Sequence, residues 1–187
     1  MVALILPWLC GARAAELDAH EVSIGAFERF VRAAYDDPSL WSEAGWRWHQ
    51  SARRPDRDDR RAGRALDHPV VAVSYYEAEA YCRWEGKRLP SASAWQHACA
   101  ADPSPALCAA PGQARPERPR TQSTEAPTAM RGSVWEWTTD EQVSGGPWKV
   151  LVGGSFLSNT GDCQCAATAP ARPETAPANV GFRCTSG

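Results

Sequence analysis

The segment that decides the fold lies at the end of the chain. It reads Gly153-Gly154-Ser155-Phe156-Leu157-Ser158, then Cys163-Gln164-Cys165, and finally Asn179-Val180-Gly181-Phe182-Arg183-Cys184. This segment holds three of the seven cysteines of the chain. Both the identity of the scaffold and its capacity for thiol chemistry depend on these residues.

The composition sets limits on the class of protein. A chain of 187 residues fits one domain with a sizeable core. A formal net charge of −2 argues against nucleic acid or an anionic membrane as a partner. Nine tryptophans combined with little hydrophobic periodicity predict an irregular core built largely from loops.

The first residues predict export from the cytoplasm. The short apolar run Val2–Leu9 is followed by Ala12-Arg13-Ala14, which is typical of a signal-peptide cleavage site. The run is too short to span a bilayer, so no transmembrane anchor is expected. We therefore predict a signal peptide at 1–14 and a single domain at 15–187, located in the periplasm or secreted. The six cysteines after residue 14 are an even number, which favours disulfides in an oxidising compartment.

Local patterns predict several helices. Apolar residues recur every three or four positions over Ile24–Ala34. A second helix is predicted over Tyr75–Glu85, because Ser74 and Glu77 form a capping box and Gly86 follows the last turn. This register points Cys82 inward. A further helix is predicted to begin after Ser91.

The remaining segments predict short strands and loops. Strands are expected at 134–137, 149–152 and 180–184, and loops are expected at 40–48, 51–67, 101–127 and 170–177.

Four segments stand in an order typical of one known family. They are His68–Ala78, Tyr81–Pro90, Gly132-Ser133-Val134-Trp135-Glu136-Trp137, and Gly153-Gly154-Ser155 through Gly181-Phe182-Arg183-Cys184. The chain closely resembles the formylglycine-generating enzyme (sulfatase-modifying factor) family. Ergothioneine-synthase-type iron enzymes and a pyoverdine-maturation protein belong to the same superfamily. The resemblance implies an α+β fold of C-type-lectin-like form, with little regular secondary structure and two or three disulfides.

The resemblance also implies a disulfide pairing. It links Cys82 to Cys184 and Cys99 to Cys165, which leaves Cys108 and Cys163. Three interpretations are open for Cys163: a third disulfide with Cys108, a free structural thiol, or a functional thiol.

In the active enzymes of the family, two nearby thiols bind Cu(I), which activates O2 to oxidise a substrate cysteine to formylglycine. The first family thiol lies three residues after Gly-Gly-Ser, where this chain has Ser158. Cys163 is the approximate match of the second. A hydroxyl is a poor ligand for Cu(I), which prefers thiolates. Cys163 and Ser158 are therefore the candidate catalytic residues, and copper is expected only if the protein is active.

The family calcium site is implied at Gly132, Val134 and Glu136. Its usual Asn or Asp is replaced by Ala129, and a usual Asn by Ser133. Because Ca²⁺ needs six to eight oxygen ligands, we expect calcium binding to be weakened.

Three functions remain in competition. The favoured one is a catalytically silent module that binds a protein or peptide or supports assembly, since the fold alone does not determine function. The second is an O2-dependent oxidase that makes formylglycine with Cys163. The third is the chemistry of the iron branch, whose iron-binding histidines lie in a separate helical domain in that branch.

Overall fold

A computed structural model describes residues 16–51, 65–108 and 127–187. Within these ranges the helices are α1 (Ile24–Ala33), α2 (Glu43–Ser51), α3 (Tyr75–Trp84) and α4 (Ala92–Ala100), and the strands are β1 (Trp135–Glu141), β2 (Lys149–Val152), β3 (Thr168–Ala171) and β4 (Val180–Gly181). Short 3-10 helices span Pro38–Leu40 and Thr160–Asp162. The predicted signal peptide at 1–14 lies outside the described residues. The α+β fold class is confirmed.

Serine caps set where the helices begin. The Ser74 hydroxyl accepts a hydrogen bond from the Glu77 amide, and the Glu77 carboxylate accepts one from the Ser74 amide, so the predicted capping box is present. Ser91 likewise caps α4 by accepting from the amide of Ala94. As predicted, Cys82 is buried on the inner face of α3.

One mixed sheet lies beside the helices, with strand order β3-β2-β1-β4. The pairs β1–β2 and β2–β3 are antiparallel, and β4 runs parallel to β1. Because β2 ends at Val152, the Gly153–Ser155 turn leaves the sheet directly from one of its inner strands.

An aromatic cluster fills the space between the helices and the sheet. Phe27 and Phe30 of α1 contact the Tyr81 ring of α3, and Phe27 and Tyr81 also contact Phe182. The Trp137 indole N–H donates to the carbonyl oxygen of Val73 at 3.0 Å. A smaller cluster holds Trp95, Cys99, Met130 and Val152.

Three disulfides connect the described segments. They join Cys82 to Cys184, Cys99 to Cys165 and Cys108 to Cys163, with Cα–Cα distances of 5.6, 5.6 and 6.3 Å. The first two are the pairs that the family resemblance implies. The third is one of the three alternatives that the sequence left open for Cys163.

Two local predictions were wrong. The segment 40–48, expected to be a loop, runs into helix α2, whose Trp46 and Trp48 rings contact His49 and Tyr76. Helix α2 is hard to detect from the sequence, because contacts with other segments stabilise it. Strand β3 also begins before the proline-rich segment 170–177 and extends into it, because β2 supplies its hydrogen-bonding partner.

No helix in the described ranges is long and apolar enough to cross a membrane.

Candidate functional site

The turn after β2 brings the backbone close to a sulfur atom. Gly153 and Gly154 have φ angles of +94° and +78°, which residues with a side chain rarely adopt. A Cβ atom on Gly154 would lie 2.6 Å from the carbonyl oxygen of Asp162 and 2.9 Å from Sγ of Cys163. Glycine is therefore required at this position for the turn to pack against Cys163.

Polar groups converge just after this turn. The Ser155 hydroxyl oxygen accepts hydrogen bonds from the Asn179 side-chain amide at 3.0 Å and from the Leu157 amide at 3.2 Å. The Ser158 hydroxyl oxygen accepts from the Ser155 amide at 3.0 Å and lies 3.3 Å from the Ser155 hydroxyl. Ser158 is half-buried, and its hydroxyl belongs to this polar cluster.

Cys163 lies beside the same polar cluster. Its Sγ is bonded to Cys108 and lies 3.7 Å from the carbonyl oxygen of Ser155. Both cysteines are buried, with Cys163 3% and Cys108 9% exposed. The structure therefore places the two sequence-predicted catalytic residues, Ser158 and Cys163, around Ser155, with the Cys163 sulfur in a disulfide.

The residues of this cluster, as they stand, do not fit the copper site of the family. The sulfur of Cys163 is oxidised in the bond to Cys108, and the other position of the family pair carries the Ser158 hydroxyl. Neither group is a thiolate, which is the ligand that Cu(I) prefers.

Glu136 occupies a fully buried ion pair. Its carboxylate accepts from Nε and Nη2 of Arg183, each with a 2.8 Å contact, and from the Trp95 indole N–H at 2.9 Å. The remaining guanidinium hydrogens donate to backbone carbonyl oxygens, those of Asp18, Ala19 and Thr128. Burial lowers the pKa of Arg183, but the adjacent carboxylates raise it more, so the guanidinium stays charged.

This ion pair bears on the calcium prediction. Both carboxylate oxygens of Glu136 already accept hydrogen bonds from Arg183, so a calcium ion there would have to compete with the guanidinium. In the described ranges, no group of three or more His, Cys, Asp or Glu side chains could hold a metal ion. Calcium binding at Gly132, Val134 and Glu136 stays a prediction.

A second carboxyl group lies beside the pair. Glu21 is 4% exposed, and its Oε2 is 3.9 Å from Nη2 of Arg183. Burial raises the pKa of Glu21 to about 7; Arg183 opposes this shift, and Glu136 adds to it. The cluster thus contains a carboxyl group that titrates near neutrality.

Sequence reasoning missed the roles of Glu21 and Asn179. Asn179 stands next to the Gly-Phe-Arg-Cys stretch, and this proximity was the signal that could have placed it near Ser155. Glu21 has no comparable local signal, because its partner Arg183 lies far along the chain.

Comparison with known families identifies the scaffold. The sequence profile of the sulfatase-modifying factor enzyme 1-like domain matches residues 12–125 and 126–186. The chain belongs to this family. Hercynine oxygenase of Mycolicibacterium smegmatis is 32% identical over 65% of this chain and 41% of its own length. Formylglycine-generating enzyme of Bos taurus is 28% identical over 91% of this chain and 65% of its own length.

A further relative carries a name that marks it as inactive. A Bos taurus protein named inactive C-alpha-formylglycine-generating enzyme 2 is 29% identical over 65% of this chain and 51% of its own length. The chain spans from 41% to 65% of the length of these three relatives.

Solved structures share the fold. PvdO of Pseudomonas aeruginosa aligns with a TM-score of 0.61 at 16% identity, covering 90% of this chain and 78% of its own. Treponema denticola variable protein 1 aligns with a TM-score of 0.62 at 14% identity, covering 92% of this chain and 84% of its own. At these identities the likeness concerns the fold alone.

Proposed function

We propose that this sulfatase-modifying factor domain is an extracytoplasmic binding or assembly module for a protein or peptide, without the family's copper chemistry. The observation that carries the proposal is the disulfide between Cys163 and Cys108, which removes the remaining thiol of the family pair. Ser158 at the other position supports it further. The three disulfides support an oxidising, extracytoplasmic location.

The exposed segment beside the polar cluster is a suitable contact surface. The Leu157 side chain is 41% exposed, although its amide donates to the Ser155 hydroxyl within the cluster. Loops held on a rigid scaffold commonly carry binding residues. We therefore place the protein or peptide contact at Phe156–Asn159, which we call the rim segment.

A relative supports the silent role by its name alone. The bovine protein called inactive C-alpha-formylglycine-generating enzyme 2 shows that the family includes members named as inactive. The competing function is formylglycine formation with Cys163, which the name of the other bovine relative favours.

Catalysis is tested with the purified, non-reduced protein. It is incubated with a cysteine-containing sulfatase peptide, copper and O2, and the peptide is analysed by mass spectrometry, with an active formylglycine-generating enzyme as positive control. We expect no aldehyde product, and no free thiol among the six cysteines from Cys82 to Cys184. Conversion of the peptide would overturn the proposal in favour of the oxidase.

Binding is tested with a displayed peptide library selected on the native protein. Peptides that bind at the rim segment should lose affinity for Leu157→Ser and keep it for Leu66→Ser, a matched change at another exposed leucine. Failure to select any binder, or equal affinity for both variants, would count against the rim segment as the contact surface.

A further inference from the structure

We propose that a groove between helix α4 and the Glu16–Leu17 segment binds a small organic ammonium ion with an apolar body. The groove has a volume of about 420 Å³, which lies within the range of small-molecule sites. It shares no residue with the rim segment or with the polar cluster around Ser155, so the proposal does not rest on the binding function proposed above.

Helix α4 supplies one wall of the groove. Trp95 and Cys99 point into the smaller core cluster, and the disulfide from Cys99 to Cys165 fixes the helix in place. The outer side of the helix carries four residues of the groove wall, at spacings that bring them together: Ser93, Ala94, His97 and Ala98. Because two of these are alanines, a flat apolar group can lie against the helix.

The segments at 16–18 and 184–185 supply the other wall. Leu17 pairs with Thr185 in an antiparallel bridge, and the Asp18 amide donates to the carbonyl oxygen of Cys184 at 2.9 Å. Leu17 also packs against the smaller core cluster, and Pro127 completes the apolar lining. Both walls are thus held by the fold, and a preformed site lowers the entropy cost of binding.

The polar residues of the groove are suited to accepting hydrogen bonds. The carboxylate of Glu16 can only accept when ionised. The Thr185 hydroxyl donates to the carbonyl oxygen of Glu16 at 3.1 Å, and its oxygen keeps lone pairs that can accept. Ser93 and His97 add a hydroxyl and an imidazole, which can each accept as well. An ammonium group, with three donors and no acceptor, matches this set.

Charge in the groove also favours a cation. Among the described residues that line it, Glu16 is acidic and none is a lysine or an arginine. His97 and Ala98 belong to the last turn of α4, where the helix dipole adds partial negative charge. A carboxylate ligand would be repelled at the same place. The apolar walls and the negative charge together therefore select an ammonium group on an apolar body.

The test uses naphthylethylamine, an ammonium compound with a two-ring apolar body, in an NMR titration of the isotope-labelled full chain. We expect the shifted amide signals to centre on Leu17, Ala94 and Ala98. Naphthylethanol, a neutral analogue of the same shape, should bind about fivefold more weakly, as expected for the loss of an ion pair open to solvent. Naphthylpropionate, which carries a negative charge, should bind more weakly still. Equal affinity for the amine and the alcohol, shifts centred elsewhere, or no shifts up to the solubility limit would refute the proposal.

Two pairs of variants separate the wall from the charge. Ala94→Phe fills the groove from an exposed position and should abolish the shifts, whereas Ala100→Phe, at an exposed alanine of the same helix outside the groove, should leave them unchanged. Glu16→Gln should weaken amine binding about three- to fivefold and leave alcohol binding unchanged. Glu43→Gln, at a glutamate whose side chain is 87% exposed on helix α2, is its matched control.

The two pairs have separate contradicting outcomes. Full binding of the amine to Ala94→Phe would overturn the site, and full binding to Glu16→Gln would overturn the choice of an ammonium ligand. If a variant does not fold, the position of the shifts in the wild type and the ratio of amine to alcohol affinity still decide. None of these results depends on peptide binding at the rim segment.

Discussion

Replacing Glu21 by Gln removes a buried carboxyl group whose titration penalises the folded state as the pH rises. Glu21 is 4% exposed and lies beside the Arg183–Glu136 pair. Burial raises its pKa from 4.5 to about 7, with Arg183 opposing the shift and Glu136 adding to it. His20, whose pKa is lowered by burial and by Arg183, is another titrating residue near this cluster.

The sign follows from proton binding. Between pH 4.5 and 7 the unfolded chain has released the Glu21 proton, while the folded protein still holds it. The folded state then binds more protons, so the free energy of unfolding falls as the pH rises through this window. The shift of the pKa from 4.5 to about 7 corresponds to roughly 3 kcal/mol of unfolding free energy, and this amount is fully lost above the folded-state pKa.

The assay is denaturation by guanidinium chloride, followed by tryptophan fluorescence at several pH values from 4 to 8. We expect the difference in unfolding free energy, Glu21→Gln minus wild type, to grow by roughly 3 kcal/mol in favour of the variant across this range. Taking the difference cancels the groups that titrate equally in both proteins. Glu43→Gln, at a glutamate whose side chain is 87% exposed, is the matched control. A Glu21→Gln difference that stays constant from pH 4 to pH 8 would refute the reasoning.

Three further changes test other parts of the structure. Glu136→Gln leaves the buried guanidinium of Arg183 with only the more distant Glu21 carboxyl group as a partner and should cost about 3–5 kcal/mol in chemical denaturation, whereas Glu136→Gln combined with Arg183→Met should cost less. Gly154→Ala places a Cβ atom 2.9 Å from the Cys163 sulfur at a positive φ, so free-thiol counting should detect incomplete closure of that disulfide; a count of zero at wild-type stability would contradict this. Ser74→Ala removes the helix cap and should lower the free energy of unfolding by about 1 kcal/mol, and an unchanged value would argue against the capping box as a stabilising element.

Local signals were enough for several elements. The capping box at Ser74 and the serine cap at Ser91 correctly set the starts of α3 and α4, because a cap acts within four residues. Helix α2 and strand β3 were missed because their stability comes from contacts with Tyr76 and with β2. Sequence patterns do not record such distant partners.

In the candidate site, too, some features follow from the sequence and others from the tertiary structure. The sequence alone determined the family scaffold, the pairing of Cys82 with Cys184 and of Cys99 with Cys165 through the family resemblance, and the hydroxyl at Ser158 in place of a thiol. Only the tertiary structure decided among the alternatives for Cys163, because the loop carrying Cys108 is brought to it by hydrogen bonds between Leu107 and the 131–133 segment. Tertiary structure also decided the roles of the buried charges. Glu21 and Glu136 both depend on Arg183, which is more than forty residues away from either. They also depend on burial, which removes water from all three groups.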